Sequence, residues 1–318
     1  MKPQKIFAIT IPIIIVCIAF IIVLTTIIIP NGKYNDAVEL YNAGKYDEAI
    51  TAFTELNGYK DSETQITKCE TATKDQKYNN AIEQCNAGNY LEAYDTLINL
   101  NGYKDSVAKA KEIYVQYKVA KLKTAKYGEY VVFGSYEQDN NTSNGKEDIE
   151  WQVLTTKEDK VLVISRYALE CKEYHNSWAH VTWETCSLRK WMNETFINNA
   201  FSAEEKDMIQ STTVTADKNP SSSDSSGNNT IDKVFLLSIT EVTHYLLSND
   251  SRKCAPTNYA NAQREKKSDS CIWWLRLPGK YLFRASNVAY SGYVDEYGNE
   301  VDDSDVMVRP AMWINFGS

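Results

Sequence analysis

Base is in short supply in this chain. Its 34 Lys and Arg face 42 Asp and Glu, a formal net charge of −8, and two of those bases, Lys2 and Lys5, sit at the extreme amino terminus. Nucleic-acid binding needs a basic face to displace counterions from phosphate, so this balance argues against a nucleic-acid partner. Histidine is scarcer still, with only His175, His180 and His244. None of them falls in a usual zinc-site spacing. No nucleophile–base motif with known mechanics is present either, which makes catalysis the secondary expectation. Acid is missing before Asp36, and charge of either sign is missing from residues 6–29.

That uncharged run sets the compartment. A bilayer core takes roughly 20 apolar residues in helical form, so residues 6–29 are long enough to span it. Lys2, Lys5 and the terminal amine place the short tail, residues 1–5, in the cytoplasm and the domains beyond the run outside. A cleaved signal peptide has a shorter apolar region and a small-residue cleavage site. Here the run closes on Thr25-Thr26-Ile27-Ile28-Ile29-Pro30, and Val16 stands before Cys17 where a lipoprotein site wants a small residue. The expectation is a single-pass cell-membrane anchor with extracellular domains. Six cysteines lie beyond it as three sequential pairs: Cys69 and Cys85, Cys171 and Cys186, Cys254 and Cys271. An oxidising exterior permits disulfides among them. Connectivity is not readable from sequence, and six buried thiols are the alternative.

Residues 31–125 read as helical. Within them Leu56-Asn57-Gly58-Tyr59-Lys60-Asp61-Ser62 returns letter for letter as Leu100-Asn101-Gly102-Tyr103-Lys104-Asp105-Ser106, a period of 44 residues. Repetition at fixed spacing marks a stacked repeat. Ala37, Leu40 and Tyr41 share one helical face, and Tyr46, Ala49, Ile50 and Phe53 share a second. Asp61 or Ser62 is positioned to cap a third helix that runs on into the next unit. A further helix from Ser106 to about residue 125 is expected to close the stack. Ala37, Gly44, Tyr46, Glu48-Ala49, Phe53 and Leu56, repeated at Ala81, Gly88, Tyr90, Glu92-Ala93, Leu97 and Leu100, resemble the tetratricopeptide pattern, with a longer period. Such a pair serves as a spacer or as a protein-interaction scaffold.

From residue 126 to 318 the pattern becomes α+β. Strands are expected around residues 129–136, 149–153 and 161–164, and helices from Ser187, with a Ser cap, and after Ser202. Residues 219–229 read as a mobile Ser/Asn/Asp-rich loop, and the strands as one antiparallel sheet. Phe133-Gly134-Ser135-Tyr136, Ile149-Glu150-Trp151, Leu188-Arg189-Lys190-Trp191, Asp232-Lys233-Val234-Phe235-Leu236-Leu237-Ser238, Trp273-Trp274-Leu275-Arg276 and Val308-Arg309-Pro310-Ala311 occur in order. Together, over residues 127–318, they resemble the bacterial exported family known as domain of unknown function 6273. The stretch Leu236-Leu237-Ser238-Ile239-Thr240-Glu241-Val242 is also similar to formylglycine-generating enzymes, and the tail to C-type-lectin-like domains. These resemblances imply a fold whose final hairpins bind a ligand. The redox-active cysteine pair of the formylglycine enzymes has no counterpart after Cys271, so oxidase chemistry is not carried over.

The binding residues expected on this basis are Trp178, Tyr290, Tyr293 and Tyr297, in or near the tail loops of residues 287–305. Asp295, Glu296, Glu300, Asp302, Asp303 and Asp305 surround the same loops. Clustered carboxylates suit calcium, which takes six to eight oxygens. Their spacing does not match an EF-hand, and a solvated hairpin tip is the plainer reading, so no cofactor is required. Arg189, Arg276 and Arg309 sit in apolar stretches and call for buried acceptors, with Glu150 and Asp232 as candidate partners. The leading function is a membrane-anchored protein presenting a lectin-like domain to an extracellular glycan or protein ligand. A cell-envelope enzyme and a repeat-based scaffold are the rivals.

Overall fold

A computed structural model describes residues 4–317. The chain divides into two compact units, Met1–Tyr117 and Lys118–Ser318.

The first unit is helical. Its opening helix is unbroken: Gln4–Val23, a π turn over Leu24–Ile28, then Ile29–Asn42. Pro30 offers no N–H and its ring crowds the carbonyl four residues back. A π turn immediately before it absorbs that misfit without ending the helix. Thr25 and Thr26 hydroxyls donate back to Ile21 O and Ile22 O at 2.9 and 2.6 Å, so their polarity is satisfied inside the apolar run. Ile14, Ile15, Val16, Phe20 and Ile27 are all more than half exposed. This helix is long and apolar enough to cross a membrane, and none of its apolar window is buried within the protein.

Helices Tyr46–Glu55, Ser62–Ala87 and Tyr90–Asn99 follow. The 26-residue middle helix is shared by both repeats, as the period predicts. The duplicated heptapeptide is a left-handed turn. Asn57, Gly58 and Lys60 have φ of 47°, 82° and 53°, and Asn101, Gly102 and Lys104 repeat these at 48°, 82° and 52°. Such values favour Gly and Asn, and a lysine held there needs compensation. Each lysine finds it over a tyrosine ring, Lys60 on Tyr34 at 4.5 Å and Lys104 on Tyr78 at 4.9 Å. The expected side-chain cap is not made. Asp61 instead accepts from Tyr34 Oη at 2.5 Å, Asp105 from Tyr78 Oη at 2.5 Å, and Ser62 Oγ is buried without a hydrogen-bond partner. The turn thus fastens each repeat to its own first helix. The closing helix is two pieces, Ser106–Glu112 and Tyr114–Thr124, because Ile113 leaves the helical region at φ −97°, ψ 6°.

The second unit holds twelve strands among the described residues: β1 Tyr130–Tyr136, β2 Glu147–Lys157, β3 Lys160–Ser165, β4 Glu170–Cys171, β5 Thr212–Val214, β6 Thr230–Asp232, β7 Val234–Phe235, β8 Trp273–Pro278, β9 Arg284–Val288, β10 Val294–Glu300, β11 Met307–Val308 and β12 Ala311–Asn315. The single sheet expected from the sequence is two, ordered β1-β2-β3-β12-β7 and β10-β9-β8-β11-β4, with a β5-β6 ribbon. Nor is every pair antiparallel, since β11 runs parallel to β8. The cause is local. Pro310 cannot donate to a ladder, so the final strand breaks after Val308 and resumes in the other sheet.

One core serves both sheets, and Trp151, Trp273, Trp274, Tyr174 and Phe133 are fully buried within it. Ser202 and Glu205 form the capping box that their spacing predicts. The helix at Ser187 is opened instead by Cys186, whose Sγ accepts from Arg189 N at 3.4 Å. Ser187 Oγ is occupied by Asn176 N at 3.0 Å. Residues 219–229 lack helix and strand as expected, yet they are pinned. Asn219 Nδ2 donates to Pro278 O and Glu296 O, both at 2.8 Å, and Asn228 donates to the Glu184 carboxylate.

Candidate functional site

The turn between β8 and β9 and the loop around Trp178 build the most chemically suggestive surface. Pro278-Gly279 reverses the chain, and Gly279 N closes the turn on Arg284 O at 2.7 Å. Lys280 N donates to Tyr297 O at 3.0 Å, and Val181 N donates to Leu282 O at 3.0 Å, so three segments converge here. Tyr174, buried and bonded to Arg276 O at 2.6 Å, anchors the Trp178 loop from below. β10 carries a bulge between Asp295 and Asn299. Gly298 lies there at φ 82°, where a Cβ would stand 2.2 Å from Ala285 O, so only glycine fits.

These constraints line up a strip of rings. Trp178 packs on Phe283 at 5.4 Å between centroids, His180 stacks on Phe283 at 5.9 Å, Tyr281 stacks on Phe283 at 5.4 Å, and Tyr297 meets Tyr281 edge-on at 5.9 Å. Trp178, Tyr281 and Tyr297 are 58%, 40% and 46% exposed, so the rings are offered to solvent rather than spent on the core. Lys280 sits over both tyrosines, and Arg284 lies 5.0 Å above Tyr297. The strip ends in a polar cavity of about 610 Å³, lined by Arg284, Asp295, Tyr297, Gly298, Asn299, Glu300, Asp302 and Asp303. Within it Asn299 bridges Asn287 and Asp303 at 3.0 and 2.7 Å.

Residues 158–316, half of the chain, match the family described as Domain of unknown function (DUF6273). The chain belongs to this family. No curated protein and no solved structure matches it. The DUF6273 match begins after β2, although β1 and β2 complete the same sheet as β3. The strip and the cavity both lie inside the DUF6273 match.

Of the aromatic residues expected at the site, Trp178 and Tyr297 are joined here through Phe283 and Tyr281. Tyr290 and Tyr293 are exposed but make no ring contact with the strip among the described residues, and Tyr290 Oη is engaged by Arg264 Nη2 at 2.5 Å. Tyr281 and Phe283 were missed by sequence reasoning. The signal was there: Pro278-Gly279 marks a turn, and Tyr281-Leu282-Phe283 follows it directly, set between Lys280 and Arg284. Of the six carboxylates, Asp295, Glu300, Asp302 and Asp303 line the cavity. Glu296 turns away to accept from Ser221 Oγ at 2.5 Å, and Asp305 faces Arg264 at 3.5 Å. The tight carboxylate trio among the described residues is elsewhere, at Glu137, Asp139 and Glu147 within 4.8 Å of one another. Backbone amides occupy it: Gln138 N lies 2.7 Å from Glu147, and Asn141 N lies 2.8 Å from Glu137.

All seven cysteines are thiols. Cys69 and Cys85 lie on one helix, 16 positions apart. That is ~24 Å along its axis, beyond any disulfide. Cys171 Sγ approaches Ser304 O at 3.1 Å, whereas Cys186 is buried beside Trp183 O and caps its helix, so these two are committed to different neighbours. Only Cys254 and Cys271 adjoin, with Cys271 N donating to Cys254 O at 3.0 Å.

Proposed function

We propose that the DUF6273 domain binds glycan through the Trp178–Phe283–Tyr281–Tyr297 strip, with the adjoining cavity receiving sugar hydroxyls. The observation that carries this reading is the exposed, contiguous run of ring faces beside a cluster of carboxylate and carboxamide groups. Flat aromatic faces stack on the C–H surface of a sugar ring, and a few convergent polar groups fix its orientation. The fold is lectin-like in this reading, the helical unit is a tetratricopeptide-like tether, and residues 6–29 anchor the protein with its domains outside the cell. The reading is one of binding, with the Asp295, Glu300, Asp302 and Asp303 carboxylates as hydrogen-bond acceptors for sugar hydroxyls.

The test is a glycan array probed with the full chain in detergent micelles. Trp178→Ala and Tyr281→Ala are each expected to weaken the strongest signal about tenfold, ~1.4 kcal/mol. The melting temperature should stay unchanged, because both side chains are exposed. Binding that survives the double substitution would discard the site.

A further inference from the structure

The duplicated turn offers a comparison inside the chain, because residues of the first repeat have counterparts 44 positions on. In the second repeat Lys104 lies over Tyr78 at 4.9 Å and over Tyr103 at 5.6 Å. Asp75 completes that cage. Its carboxylate takes the Lys104 ammonium at 2.5 Å and the Tyr103 hydroxyl at 3.0 Å. The first repeat builds the same cage from Tyr34 and Tyr59, 4.5 and 5.7 Å from Lys60. Here the acid is missing. The counterpart of Asp75 is Asn31, whose carboxamide oxygen accepts from Lys60 Nζ, and the Tyr59 hydroxyl donates to Ile27 O at 3.4 Å instead. Asp61 is turned to Tyr34 Oη just as Asp105 is turned to Tyr78 Oη, so the two cages differ in the charge at position 31 or 75. A carboxamide accepts a hydrogen bond but carries no charge. Lys60 is exposed and forms no ion pair among the described residues.

The exchange falls where the first repeat meets the apolar run. Ile27 belongs to the last apolar turn, and Asn31 stands directly after Pro30 on the helix that continues to Asn42. Ile27, Ile28 and Ile29 are all exposed. As a helix, residues 6–29 extend ~36 Å. The hydrocarbon core of a bilayer is about 30 Å thick, so the end of the run reaches the headgroups. The Tyr59–Ile27 and Lys60–Asn31 bonds hold the turn at that level. Tyrosine and lysine are residue types that settle at a lipid–water interface. A carboxylate at position 31 would cancel the lysine's attraction for lipid phosphate, and asparagine leaves it in force.

We propose that Lys60, caged by Tyr34 and Tyr59, binds the phosphate of an anionic phospholipid in the leaflet from which the anchor emerges. The first repeat is then seated on the membrane surface, while Lys104, neutralised by Asp75, serves only its own turn. This rests on residues 6–29 being the anchor proposed above, and it is independent of the aromatic strip.

The test reconstitutes the full chain in vesicles of phosphatidylcholine and phosphatidylglycerol, with a trace of either lipid carrying a photoreactive headgroup. Irradiation and peptide mapping then read which residues each probe labels. Residues 58–61 are expected to take the phosphatidylglycerol probe about fivefold more than the phosphatidylcholine probe, the gain one lysine gives at a charged surface. Lys60→Gln should abolish that preference. Asn31→Asp should abolish it too, with the lysine still present, whereas Lys104→Gln should leave it unchanged. Helix content by circular dichroism should be the same in all three variants, since the substitutions lie outside both small cores. A chain that fails to float with the vesicles overturns the anchor reading and this proposal together. One that floats but takes both probes equally, or keeps its preference in Lys60→Gln or Asn31→Asp, overturns this proposal alone.

Discussion

Glu205 shows how one side chain can hold several segments. It accepts from Lys118 Nζ at 2.5 Å, from Gly134 N at 3.1 Å and from Ser202 N at 3.0 Å. Burial pushes its carboxyl up, but Lys118 and the backbone amides outweigh burial and leave it below its ordinary value of 4.5. A carboxylate lowered in the folded state contributes stability that is complete above its unfolded value and is lost as pH falls through the lowered one. Glu205→Gln should therefore cost on the order of 1–3 kcal/mol at pH 7. It should also shrink the stability lost on acidification below 4.5, as urea melts at both pH values would register. Of these contacts, the Ser202–Glu205 box was legible, since both partners lie within one helical turn. Lys118 and Gly134 were not, because nothing local ties them to Glu205. The arginines divide in the same way. Arg189 was matched to Asp232, but Glu150 went to Arg166 at 2.9 Å and Arg309 took no carboxylate among the described residues.

At the scale of elements, the duplicated heptapeptide is the clearest case of a sequence that explains itself only in part. Its repetition announced two equal units, and the shared helix Ser62–Ala87 followed from that spacing. What the turn does was hidden, because Asp61 reaches Tyr34 across 27 residues rather than capping its own helix. Tyr34→Phe and Tyr78→Phe each remove one such bond and leave the ring under its lysine. Each is expected to lower stability by about 1 kcal/mol. The two losses should add, because the tyrosines pack into separate cores and distant sites behave independently. Helical melts of the single and double variants, followed by circular dichroism, provide the check. Strand pairing was the least legible element. Alternation places a residue on a face, but it cannot say that Met307 pairs with Trp273 and Cys171 while Ala311 pairs with Ile164 and Phe235.

For the whole molecule, two units with separate cores should unfold as two events. Scanning calorimetry of the full chain in detergent is expected to resolve two transitions. The two small cores of the helical unit are joined by the shared helix Ser62–Ala87 and melt together, while the second unit has one core of its own. Both the apolar first helix and the switch from helical to alternating pattern were visible at this scale, since each is a property of composition over tens of residues. The division into two sheets was not, because it turns on the single dipeptide Arg309-Pro310. That dipeptide also governs the order of assembly. β12 fills the interior position between β3 and β7, and β11 fills the one between β8 and β4. A ribosome must release residues 307–315 before either ladder can zip shut, so everything from β1 onward waits as an open-edged nascent chain that chaperones and proteases can reach.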